Sequence, residues 1–322
     1  MSVAVIGGAG FIGSNLVDEL LVNNFEVTVL DNFMDGSLKN LERWKGNDRL
    51  EVIRGDAVDY DLVRRVCDHK TWVFHLAAMA RIQPSMKDPL FTFRNNMVST
   101  WNVLEASRQA QVKRVIYSAS SSVTGDNGAR MALEGTPTPE TVAPDLKSPY
   151  ALSKYFGEEL VDLYHRAYGL STVSLRYFNV YGPRHQESGS YATVIAVWRK
   201  QMREGKRLTI VGDGLQRRDF TFVGDVVRAN MMAAMNPFVH GVFNIGTGKN
   251  YSMLEAAGIV APGYPVEHID PRPGEYAATL ADVTRAKNEL GWRPGVGLKE
   301  GLYILDRYEQ VMTKSNIVIV SR

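Results

Sequence analysis

Tyr150 and Lys154 are the residues whose types and spacing most clearly suggest catalysis. They are four positions apart, so on a helix they share one face. Ser148 and Pro149 just before them are typical of a helix start, with Ser as the N-cap and Pro in the first turn. The Tyr150 phenol would then lie near the positive end of a helix dipole and beside an ammonium group, which both favour a phenolate.

A tyrosine that acts as a base near neutrality needs help from its surroundings. A free Tyr titrates at about 10, so its pKa has to fall by about three units, which corresponds to about 4 kcal/mol. The helix dipole and Lys154 would supply part of that. The spacing therefore predicts a phenol that removes a hydroxyl proton, and the alternative is an exposed helical pair without a role.

A glycine-rich turn near the N-terminus predicts a site for the pyrophosphate of a dinucleotide. Residues 3–6 form a short apolar run of the buried-strand type, and an amphipathic stretch covers residues 15–22. The turn between them has the spacing expected of such a site, with Gly7, Gly10 and Gly13. Glycines allow a tight turn and let backbone N–H groups approach an anion at a helix N-terminus.

Asp31 is the residue that indicates which dinucleotide would bind. It closes the second predicted strand, residues 26–30, where an acidic side chain is expected to bind a ribose diol. A carboxylate at this position repels a 2′-phosphate, so the sequence favours NAD over NADP.

The composition excludes several classes of function. A net charge of +2 over 322 residues gives no basis for binding nucleic acid or a membrane surface. The single cysteine, Cys67, excludes an internal disulfide and leaves no cysteine cluster for a metal, so we expect no metal site. The first strand begins almost at residue 1 and no apolar run reaches membrane length, so we expect no signal peptide and a cytoplasmic location.

Strands and helices alternate along the chain, which predicts an α/β fold with a Rossmann-type, doubly wound parallel sheet. The further predicted strands and helices are residues 49–54, 71–76, 89–110, 112–118, 150–168 and 171–176. We expect residues 1–178 to form the NAD-binding domain, to which the chain returns around residues 220–246. Residues 179–322 are expected to form mainly a smaller, mixed α/β substrate domain.

A tract of small polar residues, 118–122, follows the fifth predicted strand. A hydroxyl there, with Ser120 as the candidate, could relay a proton between a substrate oxygen and the Tyr150 phenol. Because ligands bind beyond the carboxyl ends of parallel strands, this tract and the small residues after the fourth strand are expected to lie at the site.

Taken together, these motifs resemble the extended short-chain dehydrogenase/reductase family, in its nucleotide-sugar epimerase and dehydratase branch. The resemblance covers nearly the whole chain. It includes the glycine turn, Asp31, the Tyr150/Lys154 pair and C-terminal motifs at residues 176–184, 212–219, 243–248, 272–275 and 290–292.

The resemblance implies a role for many individual residues. Tyr150 would be the base, Lys154 would hold the nicotinamide ribose, and Ser120 would be the hydroxyl partner. The NAD-binding residues would be Gly7, Gly10, Phe11, Ile12, Gly13, Asp31, Asn32, Asp56, Ala57, Leu76, Ala77, Ala78, Asn96, Tyr150, Lys154 and Tyr177. The nucleotide-sugar contacts would be Ser122, Asn179, Arg218, Arg272 and Thr279.

Ser121 and Ser122 bear on the reaction. Family dehydratases usually carry Asp-Glu here, and the decarboxylase branch tends to carry a Glu in this tract. Two serines are poor groups for the acid and base work of eliminating water. The resemblance therefore implies C4 epimerisation through a 4-keto sugar, with a 4,6-dehydratase or another nucleotide-sugar-modifying enzyme as the alternative. A non-catalytic NAD-binding regulator on the same fold is an alternative of another class.

Thr279 bears on the size of the sugar. Some epimerases carry a bulky Tyr at this position, and those with a small residue resemble enzymes that accept N-acetylhexosamines. The resemblance thus implies a UDP-sugar, UDP-GlcNAc/UDP-GalNAc and also UDP-Glc/UDP-Gal. One departure from the family pattern is Thr124, where a Tyr is usual. Helices 89–110 and 150–168 match a pair that forms a four-helix bundle in the family, which implies a homodimer.

Overall fold

The computed structural model describes residues 1–187, 192–271 and 274–320. Its strands are β1 (Ser2–Ile6), β2 (Glu26–Asp31), β3 (Leu50–Arg54), β4 (Trp72–His75), β5 (Arg114–Ser120), β6 (Thr172–Tyr177), β7 (Val180–Tyr181), β8 (Leu208–Val211), β9 (Arg217–Asp219), β10 (Thr221–Phe222), β11 (Gly241–Ile245), β12 (Asn250–Ser252) and β13 (Val266–Ile269). Its α-helices are α1 (Phe11–Val22), α2 (Tyr60–Cys67), α3 (Ile82–Lys87), α4 (Pro89–Phe93), α5 (Ser99–Gln109), α6 (Gly125–Leu133), α7 (Pro149–Tyr168), α8 (Val194–Arg203), α9 (Val223–Met235), α10 (Met253–Val260) and α11 (Leu298–Val320).

In the described part of the chain, seven strands form one parallel sheet in the order β11-β6-β5-β4-β1-β2-β3. The strand order reverses between β1 and β4, so a crevice opens at the carboxyl ends of these two strands. Gly7 and Leu76 lie at that crevice: Gly7 N–H donates to Leu30 O at 2.7 Å, and Leu76 N–H to Ile6 O at 2.8 Å. This arrangement confirms the predicted doubly wound fold.

The sheet is buried on both faces, as its apolar strands require. Central β1 carries Val3, Val5 and Ala4 with no exposed surface. One face packs against a layer that includes α1 and α9, and the other against a layer that includes α2, α5 and α7. Cys67 is buried at the end of α2, which confirms that it packs in the core.

Three of the predicted elements differ from the structure in their bounds or in their helix type. Helix α1 begins at Phe11, directly after the glycine turn, and not at residue 15. Strand β5 continues to Ser120 because Ser118 and Ser120 pair with Leu175 and Tyr177 of β6. The serine tract is therefore partly strand, because β5 extends two residues beyond the predicted end at Ser118. Helix 89–110 is continuous from α4 to α5, with a π-helical segment at Arg94–Val98.

Helix α7 begins as the sequence predicts. Ser148 is the N-cap, and its hydroxyl accepts a hydrogen bond from Ala151 N–H at 3.1 Å. Pro149 occupies the first turn, and Gly169 ends the helix with a φ of 67°, a left-handed conformation that favours glycine. This start fixes the position of Tyr150 in the first turn.

A buried ion pair attaches α7 to the sheet. Arg176 on β6 donates to both carboxylate oxygens of Glu158 on α7, at 2.8 and 2.7 Å. Both side chains are almost completely buried. Such a pair fixes orientation because each charge needs the other in a low-dielectric interior.

The C-terminal part of the chain builds a smaller mixed region around its own apolar cluster, which includes Trp198 and Leu208. It contains short two-stranded sheets, β7 with β10, β9 with β12 and β8 with β13. Strand β11 leaves this region and extends the main sheet beside β6. Among the described residues, no helix has the length and apolar character needed to cross a membrane.

Candidate active site

A cavity of about 520 Å³ lies beyond the carboxyl ends of the strands. It brings together residues from the glycine turn, the serine tract, α7 and the C-terminal region. The predicted site residues that line it are Gly7, Gly10, Phe11, Ile12, Gly13, Leu76, Ala78, Ser120, Ser122, Tyr150, Lys154, Tyr177, Asn179, Arg218 and Thr279. Arg272 lies outside the described residues.

The glycine turn has the shape of a cradle for an anion. Gly7 has a φ of 84°, and a Cβ on it would lie 2.6 Å from the backbone N of Ala77. A Cβ on Gly13 would lie 2.1 Å from Gly7 O. Gly10 is the N-cap of helix α1, and no side chain accepts a hydrogen bond from the first turn of this helix. The residues of that turn line the cavity, so their N–H groups are available to a ligand. These features fit the pyrophosphate of NAD.

Asp31 is more enclosed than the sequence suggests. Its carboxylate accepts hydrogen bonds from Ala9 N–H at 2.9 Å and from Phe33 N–H at 2.8 Å. Burial raises the pKa of Asp31, and these backbone bonds oppose that shift. The side chain thus closes the turn that follows β1, and its contact with a ribose stays a prediction.

The other residues expected near the adenosine lie outside the cavity wall. Asn32 Nδ2 donates to Asp56 Oδ2 at 3.1 Å on the protein surface. Ala57 O accepts a hydrogen bond from Asn102 Nδ2 at 3.0 Å. The roles of these residues toward adenine stay predictions.

Asn96 lies behind the cavity wall, although the resemblance implies that it lines the cofactor cleft. Its amide accepts from Met79 N–H at 2.7 Å and donates to Met79 O at 3.1 Å and to Ser153 Oγ at 2.8 Å. These bonds engage the buried amide and hold the segment after β4 in place. Ala77 N–H, from the same segment, donates to Ile6 O at 2.8 Å.

Lys154 is buried beneath the cavity. Its Nζ donates to Ser118 O at 2.7 Å. Burial lowers the pKa of Lys154 to about 7, and the charge of Glu158 opposes that shift. The ammonium is therefore only partly populated near neutrality in the protein without ligand.

Tyr150 differs from the expectation in its electrostatics. Burial raises the pKa of Tyr150, while a hydrogen bond with Ser120 and the positive charge of Arg81 lower it. The net shift of the Tyr150 pKa is therefore upward, the opposite of the shift that the helix dipole and Lys154 were expected to cause. Among the described residues, Arg81 is thus a cation that lowers the pKa of this phenol.

The serine hydroxyls form a chain that ends at Tyr150. Ser122 Oγ donates to Ser120 Oγ at 2.9 Å, and Ser122 N–H donates to the same oxygen at 3.2 Å. Ser120 also acts on the Tyr150 phenol, whose pKa it lowers by hydrogen bonding. Since Ser120 Oγ accepts from Ser122, its own proton can point to Tyr150, as a proton relay requires.

The wall opposite the sheet comes from the C-terminal region. Asn179 Nδ2 donates to Thr279 Oγ1 at 2.9 Å and to Asp219 O at 3.0 Å. Arg218 lines the cavity, and its guanidinium lies 3.8 Å from the Glu275 carboxylate. This wall offers a planar cation, which suits a diphosphate.

Several cavity residues were not predicted from the sequence. Tyr276 OH donates to Ser122 O at 2.9 Å and so connects the C-terminal region to the serine tract. Arg81, Gln83, Asp35 and Gln186 also line the cavity. Arg81 directly follows the small residues after β4, and this position beside a predicted cleft could have marked it as a candidate.

Thr124 is buried at the departure from the family pattern. Its Oγ1 donates to Ser121 O at 3.0 Å. A Cβ on Gly128 of α6 would lie 2.4 Å from Thr124 Oγ1, so α6 approaches this position closely. The side chain therefore contacts α6, and α6 fills the space that a larger residue would need.

Among the described residues, His185, Glu187 and Glu309 form a group with the spacing of metal ligands. Both carboxylates are already paired with arginines. Glu309 accepts from Arg199 at 2.8 Å, and Glu187 accepts from Arg203. This group is therefore an ion-pair network beside a buried histidine.

The match with known proteins decides the family. A family model described as the NAD dependent epimerase/dehydratase family matches residues 3–246. The chain belongs to this family. It is thus an NAD-dependent enzyme, and the resemblance seen in the sequence is confirmed.

The relatives that are similar to this chain include enzymes named for different reactions. A putative UDP-glucose 4-epimerase of Methanocaldococcus jannaschii is 37% identical over 93% of this chain and 95% of that protein. The solved structure of a UDP-N-acetylglucosamine 4-epimerase from Methanobrevibacter ruminantium, in complex with UDP-N-acetylmuramic acid, is 32% identical. It has a TM-score of 0.86 and covers 95% of this chain and 98% of that one. UDP-glucuronic acid decarboxylase 5 of Arabidopsis thaliana is 33% identical over 95% of this chain and 88% of that protein.

Proposed function

We propose that this protein catalyses the NAD-dependent C4 epimerisation of a UDP-hexose. The observation that carries the proposal is the group of hydroxyls Ser122, Ser120 and Tyr150 on the cavity wall. Family dehydratases carry Asp-Glu at the positions of Ser121 and Ser122. Hydroxyls can relay a proton to and from an alcohol, but they are poor acids for expelling water. The relative from Methanocaldococcus jannaschii supports the same reaction.

In the proposed reaction Tyr150 removes the proton of the sugar 4-OH, directly or through Ser120. NAD supplies the capacity to accept a hydride from C4 and to return it. The sugar is then a 4-keto intermediate, which turns over within the cavity and presents its other face. Tyr150 returns the proton to the C4 oxygen, so protons and hydride balance over one turnover.

The sugar can turn only if the rest of the substrate stays in place. Arg218 and Asn179, on the wall opposite the sheet, are proposed to hold the diphosphate. A guanidinium grips phosphate oxygens by two hydrogen bonds and stays charged at every working pH. Arg272 is proposed to add a second guanidinium.

The proposed substrates are UDP-GlcNAc and UDP-GalNAc, with UDP-Glc and UDP-Gal as further substrates. Thr279 is a small side chain that lines the cavity. A residue of this size leaves room for an N-acetyl group where a Tyr would occupy it. The solved UDP-N-acetylglucosamine 4-epimerase that resembles this chain supports this substrate class.

Two other functions are distinguished by their products. A 4,6-dehydratase would release a 4-keto-6-deoxy sugar, and a decarboxylase, like the Arabidopsis relative, would release carbon dioxide from a hexuronate. A non-catalytic NAD-binding regulator would change none of these sugars.

We also propose a homodimer formed through helices α4, α5 and α7. These helices and the π-helical segment between them expose large apolar side chains: Leu90, Phe91, Val98, Trp101, Leu152 and Leu163. Apolar surface of this extent is typical of a protein interface. A second copy of the same surface would cover it in a symmetric four-helix arrangement.

NMR of the purified protein with UDP-GlcNAc, UDP-Glc and dTDP-glucose tests the reaction. We expect the GlcNAc signals to equilibrate with GalNAc signals and the dTDP-glucose signals to stay unchanged. A 4-keto-6-deoxy product, or no change in any sugar, would contradict the proposal.

A further inference from the structure

Arg81 has a backbone conformation that side chains rarely adopt. Its φ is 140° and its ψ is 147°, and it stands directly before α3. Only glycine adopts this region without strain, and strained residues concentrate at functional sites, where the surrounding structure holds them in place. The strain at Arg81 therefore marks a side chain whose direction is fixed by the fold.

The side chain of Arg81 is partly buried in the wall of the active-site cavity. Burial lowers the pKa of the Arg81 guanidinium, and electrostatic interactions with the Tyr150 phenol and the Asp35 carboxylate oppose that shift. The next residue, Ile82, approaches the substrate wall, since a Cβ on Gly274 would lie 3.1 Å from Ile82 Cγ2. Arg81 thus shares the cavity wall with the predicted base, Tyr150, and with Arg218 of the substrate wall.

The charges around Tyr150 explain why a second cation matters. Lys154, one turn further along α7, is hydrogen-bonded to Ser118 O and has a pKa of about 7. Lys154 therefore loses its charge within the pH range in which the enzyme would work. A guanidinium has a much higher pKa than an amine, so Arg81 stays charged throughout that range even though burial lowers its pKa.

Among the described residues, the other titratable groups that interact with Tyr150, Lys154 or Arg81 include carboxylates and phenols. The charge of Glu158 raises the pKa of Lys154, and the charge of Asp35 raises the pKa of Arg81. Tyr276 on the substrate wall interacts with Tyr150, and so does Tyr117 on β5. A phenolate among these groups needs a fixed positive charge close by.

We propose that Arg81 is a positioning residue that stabilises the phenolate of Tyr150 and so sets the lower end of the pH range of activity. The proposal rests on the proposed function only in taking Tyr150 as the base. It assigns to Arg81 the electrostatic role that Lys154 alone does not fill.

A direct test measures the ionisation of Tyr150 without turnover. The tyrosinate absorbance near 295 nm is titrated in the NAD-loaded protein, and the titration of Tyr150→Phe is subtracted. The same difference is measured for Arg81→Gln and for Arg81→Lys, each against its own double variant with Tyr150→Phe. We expect the Tyr150 transition to move to higher pH by about one unit or more in Arg81→Gln, and by less in Arg81→Lys.

The activity profile provides the second readout. We expect the acidic limb of kcat/KM to move to higher pH in Arg81→Gln, with a loss of about tenfold at pH 7 that shrinks as the pH rises. The exposed Arg65→Gln serves as the matched control and should leave both curves unchanged. Thermal unfolding confirms that each variant is folded.

Three results would overturn the proposal. They are an unmoved Tyr150 transition in Arg81→Gln, a loss of activity that is equal at all pH values, and a wild-type Tyr150 that does not ionise below about pH 11. Because the absorbance titration requires no substrate, its outcome is independent of whether the epimerase assignment is correct.

Discussion

Asn179 and Thr279 are joined by a hydrogen bond across the substrate wall of the cavity. Asn179 Nδ2 donates to Thr279 Oγ1 at 2.9 Å, and Asp219 N–H donates to the same oxygen at 3.1 Å. The hydroxyl of Thr279 therefore fixes the wall, while its small size leaves space beside it. Substitutions at Thr279 can therefore test the effect of its size separately from the effect of its hydroxyl.

Thr279→Tyr is expected to reduce kcat/KM for UDP-GlcNAc by about tenfold or more, because an overfilled site costs about 1–3 kcal/mol. Turnover of UDP-Glc should fall much less. Thr279→Ser is the control, since it keeps the hydroxyl that Asn179 contacts. Intact turnover of N-acetyl substrate in Thr279→Tyr would exclude the pocket argument, and an equal loss with both substrates would point to the broken hydrogen bond.

Tyr150→Phe is expected to reduce epimerisation by about 10²–10⁴-fold, the usual contribution of general acid–base catalysis. The content of bound NAD, measured after denaturation, should stay at the wild-type level. Tyr303→Phe removes an exposed hydroxyl on α11 and should have no effect on either quantity. Unchanged turnover in Tyr150→Phe would rule out the assigned base.

Glu158→Gln should destabilise the protein by about 3 kcal/mol or more, because it removes the carboxylate that balances the buried charge of Arg176. Asp162→Asn is the matched control. It makes the same chemical change on the same helix, but its ion pair with Arg166 is exposed and should contribute less than about 1 kcal/mol. Urea unfolding measures both free energies, and similar losses in the two variants would contradict the importance of burial.

His185 should make the protein less stable in acid. Burial and the nearby charges of Arg199 and Arg203 lower the pKa of His185 from 6.5 to about 4. Between these values the unfolded chain binds the extra proton and the folded chain does not, so stability is complete above pH 6.5 and falls as the pH is lowered toward 4. The loss is about 3 kcal/mol.

His185→Gln should remove this part of the acid sensitivity, as measured by urea unfolding at a series of pH values. His69→Gln, a change at a highly exposed histidine, should keep the wild-type slope. The quantity to compare is the slope of the free energy of unfolding against pH, because the substitution at position 185 also changes packing. An unchanged slope in His185→Gln would mean that His185 can be protonated in the folded state.

The apolar surface on α5 and α7 predicts the oligomeric state. The wild type should sediment as a dimer at micromolar concentration, and the double variant Trp101→Glu/Leu163→Glu should sediment as a monomer, since it places charges on the proposed interface. Phe238→Glu is the control, because this residue is 90% exposed outside that surface. A monomeric wild type would refute the proposed dimer.

Local patterns in the sequence determined much of the fold. Helix α7 begins at its Ser-Pro cap because capping and the fixed φ of proline act within a few residues. The apolar runs predicted the sheet strands to within about two residues, since burial on both faces leaves a continuous apolar signal. The glycine turn was predicted because a tight turn needs residues without a side chain.

The tertiary structure decided what depends on distant residues. The sequence placed Lys154 beside Tyr150, but the burial that lowers its pKa comes from the layers packed around α7. Asn96 lies behind the cavity wall, where its amide bonds to Met79 and Ser153, 17 and 57 positions away. Arg81 and Tyr150 line the same cavity because the segment after β4 and the start of α7 meet at the same edge of the sheet. Spacing fixes neighbours along one helix, whereas charge and burial are set by whichever chain segments pack against it.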